Sequence, residues 1–339
     1  MNDSSPPRVS PVPARSGSGP LAAWKGERPP APAWFEAAVN TPHESRFVEV
    51  EGASIHYLRW GERHRPGLLL CHGNAAHANW WSFIAPFLAR EYNVAALSFS
   101  GMGDSSWRES YSMETFAAEQ MAVMEDAGMF APAEPPVILA HSFGGFVTIL
   151  AAALYGGRLA GAVIADSPVN PPERQSRSGP RRSVRPHKVY RTLTEALARF
   201  RLMPEQACEN DFLLDYIARH SLRPMEGGWS WKFDPSIWRR FSIGDTASRM
   251  RAITCRFAIF YGEDSAIFPR ETGRYMYHLL GRTVPVVEIP QARHHVMLDQ
   301  PLAFVAALRT LLADWNHSLP LPGPPAAPAG APRRARGGS

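Results

Sequence analysis

One serine carries the clearest chemical signal in this chain. In "VILAHSFGGF" (137–146), Ser142 stands between an apolar, strand-like run and a helix-like run. Ala140 and Gly144 lie two residues to either side, so the pattern is G-x-S-x-G with alanine in the first place. A sharp strand-to-helix turn needs small residues there, because larger side chains collide in the bend. Such a turn lifts the hydroxyl above the sheet. It also aims the Phe143 N–H, at the start of the helix, toward a developing negative charge. The plainer reading is a helix-capping serine in a small-residue turn. A serine hydroxyl becomes a strong nucleophile only with a base to take its proton and a third group to hold that base. Two histidines are on offer, His294 and His295, in "VPVVEIPQARHHVMLDQP" (284–301). Glu263 and Asp264 follow the apolar run that ends at Gly262, and either carboxylate could be that third group. His141 adjoins the serine, so its side chain points elsewhere and is expected to be structural.

The elements that would position these groups alternate along the chain. Residues 46–52 and 54–61 alternate polar and apolar around a glycine, as a hairpin does. Apolar runs at 66–73, 93–101, 135–142, 159–168, 255–261 and 283–289 read as strands. Between them, 80–92, 112–129, 143–156, 269–281 and 300–315 have helical spacing, with Ser112 a predicted N-cap. Strands apolar on both faces and separated by helices predict an α/β fold with a mostly parallel central sheet flanked by helices. The alternation stops at 170–245, which has helical stretches, Trp229, Trp231 and Trp238, and no apolar strand run. The expected organisation is a core of 33–169 and 246–317 with a helical cap, 170–245, inserted after the sixth strand. The Pro-rich ends, 1–32 and 318–339, are expected to be disordered.

Composition narrows the class. The chain has 339 residues, 45% hydrophobic and 20% charged, a net charge of +5 and a pI near 9.3. The basic excess gathers in 174–188 and in Arg333, Arg334 and Arg336, which reads as a solvated loop and a tail. No helix-turn-helix, zinc-finger or RNP-like pattern accompanies it, so neither a nucleic-acid nor a membrane partner is expected. Cys71, Cys208 and Cys255 are odd in number and far apart, which fits reduced thiols. With no signal-like or membrane-length apolar run, the expected location is cytoplasmic. No HExxH or cysteine cluster is present, and no metal or organic cofactor is expected.

From about residue 45 to 316 the chain resembles an α/β-hydrolase: a serine-nucleophile member of that superfamily with a helical cap domain. "LLLCHGNAAHANWW" is similar to the family's His-Gly oxyanion loop, "LSFSGMGDSSW" to its Gly-x-Gly-x-Ser stretch, and 170–245 to its cap. The resemblance implies an oxyanion hole from the backbone N–H groups of Asn74 and Phe143. It implies His294 as base, five residues before Asp299 in a Gly-His-x-x-x-x-Glu/Asp pattern in which Arg293 replaces the glycine. The family's usual acid position, three residues after Gly262, is Ser265, which cannot serve. Some members place the acid after the sixth strand, with a serine in the later loop, and that implies Asp166, with Asp264 as the alternative. The implied function is a Ser-His-Asp catalytic triad, a serine esterase cleaving a small to medium apolar ester, thioester or lactone, with a small-molecule substrate as partner. A carbon–carbon bond hydrolase of a diketone uses the same triad. A non-catalytic ligand receptor of this fold is the alternative of another class. An epoxide hydrolase or dehalogenase would need Asp where Ser142 stands.

Overall fold

The computed structural model describes residues 18–174, 187–239 and 241–318. Helix α1 (Ala33–Val39) leads into strands β1 (Glu44–Val50), β2 (Ala53–Trp60) and β3 (Gly67–Cys71). Then come α2 (Ala85–Leu88), β4 (Asn93–Leu97), α3 (Met113–Asp126), β5 (Val137–His141), α4 (Phe143–Tyr155) and β6 (Gly161–Ala165). Between β6 and the rest of the sheet lie α5 (Leu193–Leu197), α6 (Asp211–His220), β7 (Leu222–Met225), β8 (Gly228–Trp231) and α7 (Thr246–Arg251). The chain returns with β9 (Arg256–Gly262), α8 (Arg270–Leu279), β10 (Val286–Ile289), α9 (Val296–Asp299) and α10 (Pro301–His317).

Eight strands form one sheet in the order β1-β2-β4-β3-β5-β6-β9-β10. β2 is antiparallel to both β1 and β4, and the remaining pairs are parallel. The inner strands β3 to β6 are buried at every position. Their side chains alternate between two cores. Leu68, Leu70, Val94, Ala96 and Leu139 face one, and Leu69, Cys71, Ala95, Leu97 and Ile138 the other. That is the period-two pattern of a sheet covered on both faces. Ser112 caps α3, its hydroxyl accepting the Thr115 N–H at 3.0 Å.

Three expectations need correction. The helical run at 80–92 is instead a 3-10 turn, Ala78–Trp81, followed by the short α2. Pro86 has no N–H to donate to a preceding carbonyl, so a continuous helix through 80–92 is interrupted and α2 starts with the proline in its first turn. The insertion is not purely helical: β7 and β8 pair antiparallel with Met225 opposite Gly228, a two-residue turn of Glu226 and Gly227. Glycine φ values of 82° and 142° at Gly227 and Gly228 make that reversal possible. At the N-terminal end, residues 18–32 are ordered. Pro20–Trp24 is a 3-10 helix with Leu21 buried, and the Trp24 indole donates to Asp211 Oδ2 at 2.9 Å. An apolar residue and an indole docked on α6 outweigh the proline-rich composition there. Residues 1–17, most of the basic stretch 174–188 and the tail from 319 lie outside the described residues. No helix of the described residues is long and apolar enough to cross a membrane.

Candidate active site

β5 ends at His141 and α4 begins at Phe143, so Ser142 is the whole connection. Its backbone sits at φ 52°, ψ −116°, a region that costs a non-glycine residue about 1–3 kcal/mol. Neighbouring hydrogen bonds hold it there. Ser142 N donates to Ala165 O at 2.9 Å, and Ser142 O accepts from Gly145 N at 2.9 Å and Ser167 Oγ at 2.8 Å. Gly144 is required by close approach: a Cβ there would lie 2.5 Å from His72 O and 3.1 Å from Cys71 O.

The loop after β3 passes directly by the serine. A Cβ on Gly73 would lie 3.2 Å from Ser142 Cβ and 3.0 Å from His141 Nδ1. Asn74 follows, its side-chain oxygen buried without a hydrogen-bond partner among the described residues. Phe143 occupies the first position of α4, where helix geometry leaves the backbone N–H without an intrahelical acceptor. His72 braces the loop, with Nδ1 donating to Gly73 O at 2.6 Å and Nε2 accepting from Phe99 N at 3.0 Å. Burial pushes its pKa down to about 4, so the ring is neutral.

Asp166, the first residue after β6, is fully buried at φ 49°. Its Oδ1 accepts from His294 Nδ1 at 2.8 Å and from Ser265 Oγ at 2.8 Å, and its Oδ2 accepts from Gly262 N at 3.0 Å. A proton on His294 Nδ1 leaves the lone pair on Nε2, which is buried and has no hydrogen-bond partner among the described residues. Asp264 is exposed. Among the described residues it is tied in by its backbone N–H, which donates to Ala292 O at 2.9 Å. The structure therefore brings His294 to Asp166, with Ser265 as a second donor to the same carboxylate oxygen.

His141 and His295 pack on His294, with ring centroids 4.8 Å and 4.7 Å away. His141 Nε2 donates to the His294 carbonyl at 2.9 Å. Burial, reinforced by the neighbouring imidazole, holds both side chains well below the usual histidine pKa. The three residues each offer a nitrogen within 4.8 Å of the others and, among the described residues, are the group that could hold a metal. Two residues escaped the sequence reading. Gln206 Oε1 accepts from His295 N at 3.0 Å, and Asn210 Nδ2 donates to Leu298 O at 2.7 Å. No local pattern marks either, since the partners lie almost ninety positions away.

Comparison with known proteins bears on this geometry. The Alpha/beta hydrolase family model matches residues 68–308. Epoxide hydrolase 4 of Mus musculus is 27% identical over 124 residues, 36% of this chain and 33% of that protein. Lipase LipV of Mycobacterium tuberculosis is 29% identical over 115 residues, 34% of this chain and 42% of that protein. The chain thus spans well under half the length of these curated relatives. A solved thioesterase domain from the curacin biosynthetic pathway superposes with a TM-score of 0.67 at 21% identity, over 80% of this chain and 100% of that one. That likeness is one of fold. The family match runs from β3 into α10, through the serine turn and the His294 loop, and this chain belongs to the alpha/beta hydrolase family.

Proposed function

We propose that this enzyme is a serine hydrolase acting through an acyl-enzyme, with Ser142 as nucleophile, His294 as base and Asp166 as the acid that orients it. The observation that carries the reading is the buried His294–Asp166 pair, whose free Nε2 belongs to a loop packed on the residue next to Ser142. His294 Nε2 takes the Ser142 proton as Oγ attacks the carbonyl carbon. The backbone N–H groups of Asn74 and Phe143 stabilise the oxyanion. The imidazolium then returns its proton to the departing alcohol or thiol. Water, deprotonated by the same nitrogen, cleaves the acyl-serine ester and regenerates the enzyme.

The substrate is a small to medium, largely apolar ester, thioester or lactone. Support comes from the aromatic surroundings of the nucleophile: Phe143 packs edge-on against Trp238 at 5.3 Å and beside Phe241 at 5.7 Å. Both belong to the chain between β8 and α7, which on this reading is part of a cap over the site. The name of the lipase relative agrees with ester chemistry. The name of the epoxide hydrolase relative does not transfer to Ser142. A carboxylate that opens an epoxide forms an ester that water can cleave, whereas a serine alkoxide would form a stable ether. Three free cysteines, two of them only partly buried, fit work in a reducing, cytoplasmic setting.

The test is a fluorophosphonate probe with intact-mass analysis, followed by p-nitrophenyl esters of graded chain length. One adduct is expected on the wild-type chain and none on Ser142→Ala. A folded wild-type protein that stays unlabelled and leaves every ester intact overturns the proposal.

A further inference from the structure

The inserted segment does more than lie over the sheet. Gln206, outside any helix or strand and 88 residues before His294 in the chain, uses both ends of its carboxamide on the loop that carries the histidine. Its Oε1 accepts the His295 N–H at 3.0 Å, and its Nε2 donates to both oxygens of Asp299, at 3.1 and 2.9 Å. Asp299 Oδ2 in turn accepts the Arg293 N–H at 2.6 Å. The two backbone donors flanking His294 are therefore satisfied by one relay of side chains. Asp299 takes the N–H before it and Gln206 the N–H after it. Asn210 adds a third tie from the same segment, through the Leu298 carbonyl.

We propose that Gln206 is a positioning residue: it fixes the backbone on both sides of His294, so that the alignment of the base depends on the insertion being seated. This rests on His294 being the base. A glutamine is specifically required, because the position must accept from an amide and donate to a carboxylate at once. Leucine does neither. Glutamate accepts, but its charge lies against Asp299 until one of the two carboxyls is protonated. Burial has already pushed the Asp299 carboxyl up to about 6. The other charged or titratable groups facing this relay are Arg293, Cys208, Glu209 and His295.

Misplacing a base by about 1 Å can cost about 10²-fold in rate, which sets the scale of the effect. Gln206→Leu is expected to lower kcat on a p-nitrophenyl ester and the fluorophosphonate labelling rate by about 10- to 100-fold, with KM changed less than threefold. The His294 Nδ1–H proton bound to Asp166 should broaden or shift in the proton NMR spectrum. Gln206→Glu should recover toward wild type as pH falls from 7.5 to 5.5, with rates taken as a ratio to wild type at each pH, because the protonated acid restores the donor. Rates within threefold of wild type together with an unchanged Nδ1–H signal for Gln206→Leu overturn the proposal. If that variant does not fold, a Gln206→Glu ratio that is flat across the pH range overturns it. The NMR signal needs no substrate, so failure of the positioning role is distinguishable from failure of the hydrolase reading, in which wild type itself is inert to probe and esters.

Discussion

Replacing Asp166 by asparagine tests the site most sharply, because the surrounding donors dictate how the amide must sit. The carboxylate accepts three hydrogen bonds: Gly262 N on Oδ2, and His294 Nδ1 and Ser265 Oγ on Oδ1. The Gly262 donor is backbone and cannot reverse, so the asparagine oxygen must take the Oδ2 place. Its NH₂ group then faces His294 Nδ1. Two donors cannot face each other, so the imidazole moves its proton to Nε2 and presents its lone pair to the amide. The nitrogen that should take the Ser142 proton is thereby occupied. Loss of the correct tautomer costs about 10⁴ in kcat, equivalent to about 5.4 kcal/mol of transition-state stabilisation. The assay is kcat and KM on a p-nitrophenyl ester, together with the second-order rate of fluorophosphonate labelling and a melting curve. Asp264→Asn, at an exposed site, should stay within twofold of wild type. An Asp166→Asn enzyme within tenfold of wild type, or an Asp264→Asn enzyme that falls by 10³ or more, refutes the reasoning, on the approximate scale above.

Ser265→Ala removes one donor from Asp166 Oδ1. A hydrogen bond to a charged group contributes about 1.5–3 kcal/mol, so kcat should fall by about tenfold or more with KM steady, as steady-state kinetics will show. Gly144→Ala forces a methyl against the His72 carbonyl at 2.5 Å, and overpacking of this kind costs about 1–3 kcal/mol, read as a lower urea midpoint with slowed probe labelling. Stability should fall as the solution is acidified from pH 6.5 toward 4.5. Burial lowers the pKa of His72, His77, His141 and His295, so the unfolded chain binds protons near 6.5 that the native chain refuses. Burial raises Glu119 to about 7 and Asp299 to about 6, which acts in the opposite sense, but the histidines lowered by burial, His56, His187 and His220 among them, outnumber these two acids. A denaturation midpoint that holds or rises over that range contradicts this.

What was legible in the sequence follows from how local each signal is. The buried strands announce themselves because both faces are apolar, and the turn at Ser142 because steric exclusion leaves small residues at 140 and 144. The hairpin β7–β8 was invisible because Pro224 and the glycines at 227 and 228 break any alternation; only the turn chemistry hints at it. The N-terminal 3-10 helix was misread because composition speaks of the unbound chain, whereas Leu21 and Trp24 are ordered by α6 and its neighbours. The ambiguity between Asp166 and Asp264 was of another kind. Each follows a strand, and which one turns inward depends on backbone angles that the sequence does not display. Gln206 lay beyond reach altogether, since its partners are 89 and 93 residues away.

The reason Asp166 turns inward lies in the β6–β9 ladder. Ala165 is paired with Phe260, so the parallel pattern continues with Asp166 N donating to Phe260 O, at 2.8 Å. The next rung should run from Gly262 N to the Asp166 carbonyl. At φ 49° the backbone has turned away, and the rung is closed by Asp166 Oδ2 in place of that carbonyl. A side chain of aspartate length can curl back to replace its own main-chain acceptor, and such short polar residues tolerate the left-handed region better than most. With Oδ2 committed to the ladder, Oδ1 has one orientation left, toward the loop bearing His294. The strand end thus fixes the carboxylate with a backbone bond rather than with a flexible side chain, and Ser265 adds a second restraint. A carboxylate on the β9 exit has no such anchor. Asp264 offers its own N–H to Ala292 O, and its side chain lies in solvent. The preference for the acid after β6 is therefore a property of sheet register, and it follows from the same strand neighbours that place Ser142 one strand away.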